Sequence, residues 1–326
     1  MNERDLLIRL IQGPVSGTAL AREAGLTRAA LWKRIDALRG AGVAIAAQPG
    51  RGYVLARPLQ LLDPARIRAG LPAGRGDAIA VLDVAWSLDS TNSELLRRQT
   101  PDAGAAVLLA ERQTGGRGRR GRDWASPLAA NLYLSLARMF SGGLARLPGL
   151  SLVAGVASVE ALHALGFGAV RLKWPNDLVV AAGSGLRKLG GLLAEGGGEH
   201  AGPVRAVIGL GLNVDMPPAG GAAIAQPWID LATLAAGAPP SRNEVAAMLL
   251  SHWLPALAEF DARVLAPFLQ RYARLDALAG RDVLLHDAHG DRLGQALGIT
   301  ADGALRVRID GMEQAVHSGE ISVRAT

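Results

Sequence analysis

Hydrophobic and polar positions along the first sixty residues fall at helical spacing. Leu31, Ile35 and Leu38 form an i, i+4, i+7 stripe behind Thr27, a capping residue. A shorter helix, capped by Thr18 and ending at Ala24, precedes it across a turn at Gly25-Leu26. Turning that stripe inward leaves Arg28, Ala29, Trp32 and Lys33 facing out from the N-terminal half of the second helix. Beyond Gly40, the apolar run Val43 to Ala47, the turn Gln48-Pro49-Gly50-Arg51-Gly52 and Tyr53-Val54-Leu55 predict a hairpin tipped by Arg51. Two helices and a hairpin in this order describe a winged helix-turn-helix, which presents its second helix to a DNA groove. The competing reading is a helical protein-interaction module with a solvated charged face.

The segment from Pro58 to Pro64 reads as a link into a larger unit. Strand-like periods occur at Ile79 to Trp86 and Asn131 to Leu136. They recur at Ala169 to Trp174 with its continuation Leu178 to Val180, at Lys188 to Glu195 and at Val204 to Val214, with a hairpin turn at Gly183-Ser184-Gly185. The apolar stretch Leu150 to Leu165 is broken by Ser151, Ser158, Glu160 and His163, which makes it a buried helix and not a membrane span. Ser241 and Glu244 open an amphipathic helix as a capping box. After Gly280, short strands between the turns Ala288-His289-Gly290-Asp291, Ala301-Asp302-Gly303 and Asp310-Gly311 predict a small β-barrel. The expected architecture is α+β in three domains: 1–62, 63–275 and 276–326.

Charge sharpens this division. Residues 1–62 carry nine basic and four acidic side chains, while the remainder of the 326-residue chain is nearly balanced, 26 against 25. A basic first domain on a neutral body suits nucleic-acid binding. The absence of cysteine excludes disulfides and thiolate metal sites, and it fits a cytoplasmic protein, as does an N-terminus without a signal-like apolar core. Only three of the 35 basic residues are lysine: Lys33, Lys173 and Lys188. An ammonium and a guanidinium are not interchangeable at a strict site, so these three invite a role.

Four segments carry candidate chemistry. Gly115-Gly116-Arg117-Gly118-Arg119-Arg120-Gly121-Arg122-Asp123-Trp124 joins close-approach backbone, forked cations and an indole, a combination suited to a nucleotide phosphate and its base. A disordered RNA-binding tract has similar composition, but this run is single and lies inside an apolar chain. Lys173-Trp174-Pro175-Asn176-Asp177, Lys188-Leu189-Gly190-Gly191 and Gly209-Leu210-Gly211-Leu212-Asn213 each have a core or turn explanation alone. On consecutive strands they point to a site.

With Asp89-Ser90-Thr91-Asn92 and Gln113 added, these segments and the N-terminal helix pair, wing and Gly319-Glu320-Ile321-Ser322-Val323-Arg324 resemble the biotin protein ligases of the biotin operon repressor type over essentially the whole chain. The resemblance implies a central domain similar to class II aminoacyl-tRNA synthetases and an SH3-like C-terminal barrel. It implies activation of biotin by Mg-ATP to biotinyl-5′-adenylate and transfer to a lysine of a biotin carboxyl carrier protein. By the same resemblance Lys188, Arg119 and Asp177 are catalytic, and Ser90, Thr91, Asn92, Gln113, Arg117, Gly118, Arg119 and Lys188 hold biotin. Arg119, Arg122, Trp124, Asn176, Asp177 and Asn213 hold ATP, with magnesium arriving on the nucleotide and not in a fixed protein site. Arg28, Trp32, Lys33 and Arg51 would read operator DNA from an adenylate-bound homodimer joined on the central sheet, with no membrane involved. The Arg-Gly segment is expected to order over the ligand, and the Val179 to Leu186 hairpin is longer than the family pattern. Rival readings are a lipoate ligase, an adenylate sensor without turnover, and a ligase that has lost operator binding.

Overall fold

The computed structural model describes residues 1–141, 143, 147–198, 203–222, 224–236, 238–287, 290–317 and 322–325. It begins with helices α1 (Glu3–Ile11), α2 (Gly17–Ala24) and α3 (Arg28–Gly40), followed by the antiparallel pair β1 (Ile45–Gln48) and β2 (Gly52–Leu55). Leu31, Ile35 and Leu38 are buried as their spacing requires, and Thr27 caps α3. Ser16, not Thr18, caps α2: its backbone is extended and its hydroxyl accepts from the amide of Ala19 at 3.1 Å, whereas Thr18 already lies within the first turn. Leu128 and Ala129, from far along the chain, complete this small core, and the amide of Leu128 donates to the carbonyl of Ala41 at 2.8 Å.

The link leading to α4 (Pro64–Ala69) is clamped, not loose. Glu111 and Arg242 form a buried ion pair at 2.8 Å, with side chains 3 and 6 % exposed. Glu111 also accepts from the amide of Leu62 at 2.6 Å, and Arg242 donates to the carbonyl of Gln60 at 2.7 Å. Asn243 accepts from the amide of Asp63 and donates to the carbonyl of Leu61. Paired and hydrogen-bonded, these charges avoid most of the penalty of burial and fix the path of the link.

The central unit is a seven-stranded mixed sheet in the order β3-β4-β5-β9-β8-β7-β6. Its strands are β3 (Ile79–Ala85), β4 (Ala105–Ala110), β5 (Leu132–Phe140), β6 (Arg171–Lys173), β7 (Asp177–Ala182), β8 (Gly185–Gly198) and β9 (Val204–Leu212), and only β3 and β4 run parallel. Helix α5 (Thr91–Arg97) lies between β3 and β4 in the chain. Alternation sends Leu132, Leu134 and Leu136 of β5 and Ile208, Leu210 and Leu212 of β9 to one face. There they meet α6 (Leu147–Ala164) and, after the short helices α7 (Pro218–Ala222) and α8 (Leu231–Leu234), the long α9 (Arg242–Arg263) and α10 (Ala266–Leu275). Helix α6 is long and apolar enough to cross a membrane, yet 67 % of it is buried in this core. The sequence pattern marks a break at Pro175 and reads Leu178–Val180 as the continuation of Ala169–Trp174 beyond it. The chain instead reverses at Trp174-Pro175-Asn176, and β6 and β7 pair antiparallel with Lys173 opposite Asp177.

Beyond α10, β10 (Asp282–Asp287), β11 (Gly290–Ile299), β12 (Leu305–Ile309), β13 (Met312–Val316) and β14 (Ser322–Ala325) form an antiparallel sheet in the order β13-β12-β11-β10-β14. The indole N–H of Trp174 donates to the carbonyl of Gly303 at 3.0 Å, tying this unit to the central one. Residues 288–289 of the expected turn and 319–321 of the terminal motif lie outside the described residues.

Candidate active site

One irregularity in the sheet sets the site. Leu178 pairs with Gly190 but Val179 with Lys188, so Leu189 is an extra residue, a bulge. It sends Leu189 into the core and turns Lys188 to the opposite face, beside Gly191. Asp177 pairs with Gly191, and its carboxylate lies 2.7 Å from the Lys188 ammonium, each side chain about one-fifth exposed. The backbone of Lys188 is pinned in turn: its amide donates to the carbonyl of Pro227, and its carbonyl accepts from the amide of Ile229, both at 3.0 Å.

The floor is glycine. A Cβ at Gly211 would collide with the indole of Trp124, so only glycine lets that ring lie on β9. The Lys188 ammonium stands 5.5 Å from the centre of the same ring, within cation–π range. Among the described residues the buried indole N–H has no hydrogen-bond partner, and the same is true of Oδ1 of Asn213, whose amide nitrogen donates to the carbonyl of Ile229. A buried donor and a buried acceptor left open are costly unless a ligand meets them.

The Arg-Gly segment folds over this floor. Arg117 pairs with Asp123 as an antiparallel bridge, the amide of Gly118 donates to the carbonyl of Arg122 at 2.7 Å, and Arg119–Gly121 make a tight turn in which Arg120 takes a left-handed φ of 57°. Burial pulls the guanidinium of Arg119 below its usual pKa; neighbouring Arg120 acts in the same direction and Asp177 opposes it. Arg119 is thus near enough to the Asp177 carboxylate to feel its charge. Arg122 is exposed at the rim.

At the other end lies the first turn of α5. Ser90 caps it, and Ser90, Thr91 and Asn92 are each 4 % exposed. Gln113 accepts from the amide of Thr91 at 2.8 Å and donates to the hydroxyl of Ser126 at 3.2 Å. Ser126 in turn donates to the carbonyl of Trp124, joining the two ends. Asn92 lies on Gly209, donates to the carbonyl of Leu193 and to Glu195, and accepts from Ser135 at 2.6 Å. Arg117 donates to Ser93 and Glu195.

Lys188, Asp177, Arg119 and Trp124 therefore gather at one end of this face of the sheet, and Ser90, Thr91, Asn92, Gln113 and Arg117 at the other. Asn176 lies beside the first group, with its amide donating to the carbonyl of Leu192 at 2.6 Å. Sequence reasoning missed Ser135 and Glu195, whose partners in the site lie far away along the chain. Arg28, Trp32, Lys33 and Arg51 are elsewhere, all exposed on α3 and the wing, with Trp32 at 54 %.

Comparison with known proteins agrees across all three units. Residues 84–213 match the biotin/lipoate A/B protein ligase family, residues 2–54 an HTH domain and residues 279–324 the biotin protein ligase C-terminal domain. The chain is 41 % identical to the bifunctional ligase/repressor BirA of Escherichia coli over 95 % of its length and 93 % of that protein. It is 34 % identical to the biotin–[acetyl-CoA-carboxylase] ligase of Mycobacterium tuberculosis over 76 % of this chain and 91 % of the relative. Among solved structures, the biotin protein ligase from Aquifex aeolicus in complex with biotin and ATP superposes with a TM-score of 0.63 at 26 % identity, covering 76 % of this chain and all of that one.

Proposed function

The chain belongs to the biotin protein ligases, in their bifunctional ligase/repressor form, and from that premise we propose that this face of its sheet holds biotin and ATP end to end with Lys188 at their junction. The observation that carries this assignment is the Lys188–Asp177 pair lying under the Trp124 indole on a floor of glycine.

The chemistry fits the residue types. A carboxylate oxygen of biotin attacks the α-phosphorus of ATP and pyrophosphate leaves. Two anions must meet, so the site must supply positive charge where more negative charge develops. Lys188 bridges the carboxylate and the α-phosphate and fixes their approach, while Asp177 holds the ammonium in place. Arg119 and Arg122 take the phosphates, and Trp124 with Asn176, Asp177 and Asn213 takes the rest of the nucleotide. Magnesium enters bound to ATP. Ser90, Thr91, Asn92, Gln113, Arg117 and Gly118 receive the biotin rings and chain. A lysine amine of the carrier protein then attacks the anhydride carbonyl, loses its proton and releases AMP.

The open donor on Trp124 and acceptor on Asn213 favour a ligand over an idle surface. The domain limits 1–62, 63–275 and 276–326, a central domain of the class II synthetase kind, an SH3-like C-terminal barrel and a cytoplasmic place of work belong to the same proposal. The experiment supplies Mg-ATP, a carrier domain and labelled biotin or labelled lipoate. Label reaches the carrier from biotin alone; label from lipoate, or bound adenylate without transfer, overturns the reading.

The repressor half has its own support. Trp124 lies on the ligand floor, and four residues later Leu128 sits in the core of the N-terminal unit. Occupancy of the site therefore has a short covalent path to the helices carrying Arg28, Trp32 and Lys33. We infer that adenylate promotes a homodimer joined through the central sheet, which binds an operator of two half-sites. A gel shift on biotin operon DNA tightens on adding adenylate; adenylate-independent mobility refutes it.

A further inference from the structure

We propose that Glu195 is a positioning residue that ties the Arg-Gly segment and the first turn of α5 to the sheet and sets the hydrogen-bond polarity of the biotin end of the site. The tie itself is read from contacts alone, while its kinetic consequence rests on the ligase reading.

Glu195 stands on β8 on the same face as Gly191. One carboxylate oxygen accepts from Arg117 and the other from Asn92, both at 2.9 Å. Arg117 also donates to Ser93 at 2.7 Å. A single carboxylate thus joins a loop and a helix start, supplied by distant parts of the chain, to one strand. Charge-assisted bonds of this kind are the strong ones.

The number of protons available fixes the polarity. A carboxylate only accepts, so the group of Asn92 facing Glu195 is its NH2; the carbonyl of Leu193, 3.1 Å from the same nitrogen, requires the same orientation. Oδ1 of Asn92 is then an acceptor, and Ser135 must give it its one hydroxyl proton. Ser135, also 2.7 Å from Thr91 Oγ1, has none left for Thr91. The hydroxyl of Thr91 must therefore donate, to Ser135 or to Gln113 at 3.2 Å. Gln113 is oriented independently by the amide of Thr91. A neutral ligand head with both N–H and C=O groups is discriminated only if the protein's donors and acceptors are fixed in advance, and Glu195 fixes them here together with the carbonyl of Leu193, adding the charge-assisted bond of the two.

The test uses Glu195→Gln, Glu195→Asp and Glu195→Ala in the full chain. Trypsin reads the tie without any ligand, because the segment offers arginines at 117, 119, 120 and 122. Glu195→Ala should speed cleavage there about fivefold, as expected for losing a partly exposed pair together with its amide partner. Steady-state adenylation reads the polarity: the KM for biotin rises about tenfold in Glu195→Gln, which keeps the shape and loses the charge, and returns to within about threefold in Glu195→Asp. Transfer from preformed adenylate stays within about twofold in all three, a split that general unfolding would not give. A wild-type tryptic rate in Glu195→Ala overturns the tie, and a wild-type biotin KM in Glu195→Gln overturns the polarity role. Failure of the unsubstituted protein to activate biotin would instead refute the ligase reading, and the tryptic arm would still decide the tie.

Discussion

The two faces of the central sheet are made by the same strands and obey different rules. On one face Leu134, Leu136, Ile208 and Leu210 pack under α6 and α9. On the other, within one residue of these, Ser135, Gly209 and Gly211 leave room for Asn92 and Trp124. The covered face holds the fold by removing hydrocarbon from water. The other face buries a smaller apolar cluster under α5, with Leu95, Leu108, Ala137 and Val207, and beside it the site is shaped by what is absent, side-chain bulk, and by polar groups held at fixed distances. A substitution on the first should therefore cost stability, and one on the second should cost rate or affinity.

Lys188→Ala is the strongest attempt to break that separation. Removing the ammonium should lower adenylate formation about a hundred- to a thousandfold. Its pair with Asp177 is partly exposed and contributes at most about 1 kcal/mol to stability, so the melting temperature should hardly move. Adenylation assays beside thermal melts check both. Unchanged activity, or a collapse in melting temperature, contradicts the division.

Leu210→Ala tests the converse on a neighbouring position of β9. Leu210 is 2 % exposed, and truncation in such a core costs about 2–5 kcal/mol. Measured well below its lowered melting point, the variant should keep biotin and ATP KM within about twofold, since the lost atoms lie on the far side of the sheet. A tenfold loss of affinity there would show that the faces are coupled.

How far each face can be read from the chain differs for the same reason. Alternating leucines in β5, the stripe of α3 and the buried run of α6 announce themselves, because burial imposes a period. Lys188 does not. Strict alternation groups it with Gly190 and Leu192, on the core face, and only the bulge at Leu189 turns it round. A bulge leaves no mark in the period. The motif chemistry still singled out Lys188, Trp124 and Asn92, while Glu195 passed as an ordinary strand carboxylate because its partners, Arg117 and Asn92, are far away in sequence. Reversal at Pro175 and the capping of α2 by Ser16 were missed for a smaller reason: turns and caps depend on one or two dihedrals that composition does not specify.

Gly211→Ala sharpens the contrast with one methyl group. Its Cβ meets the indole of Trp124, so the ring must lift, at a cost of about 1–3 kcal/mol. The expected reading is a KM for ATP raised about tenfold with biotin affinity nearly unchanged, because Asn92 rests on Gly209 and not on Gly211. Adding Trp124→Ala removes the clash, so Gly211→Ala should then have no further effect on ATP. An undiminished effect would mean that the glycine serves something other than the indole.

The smallest effect lies where the covered face meets the C-terminal unit. Asp276 follows α10, and Leu172 of β6 takes the amide of Ala277 beside it at 2.7 Å. Burial raises the carboxyl of Asp276 to about 6; Oδ1 accepts from the amide of Leu278, and Oδ2 is buried without a partner. The unfolded chain titrates this group near 3.8. Between those values the folded protein binds the extra proton, so stability falls as pH rises through the window, and the penalty of the buried charge is complete above about 6. Asp276→Asn keeps an acceptor for Leu278 and cannot ionise. Relative to wild type, its melting stability should therefore improve by about 1–2 kcal/mol between pH 4 and pH 7.5. A difference between the two proteins that stays constant with pH would show that the carboxylate finds its compensation in the folded state, and that a charge can rest at the edge of the covered face without cost.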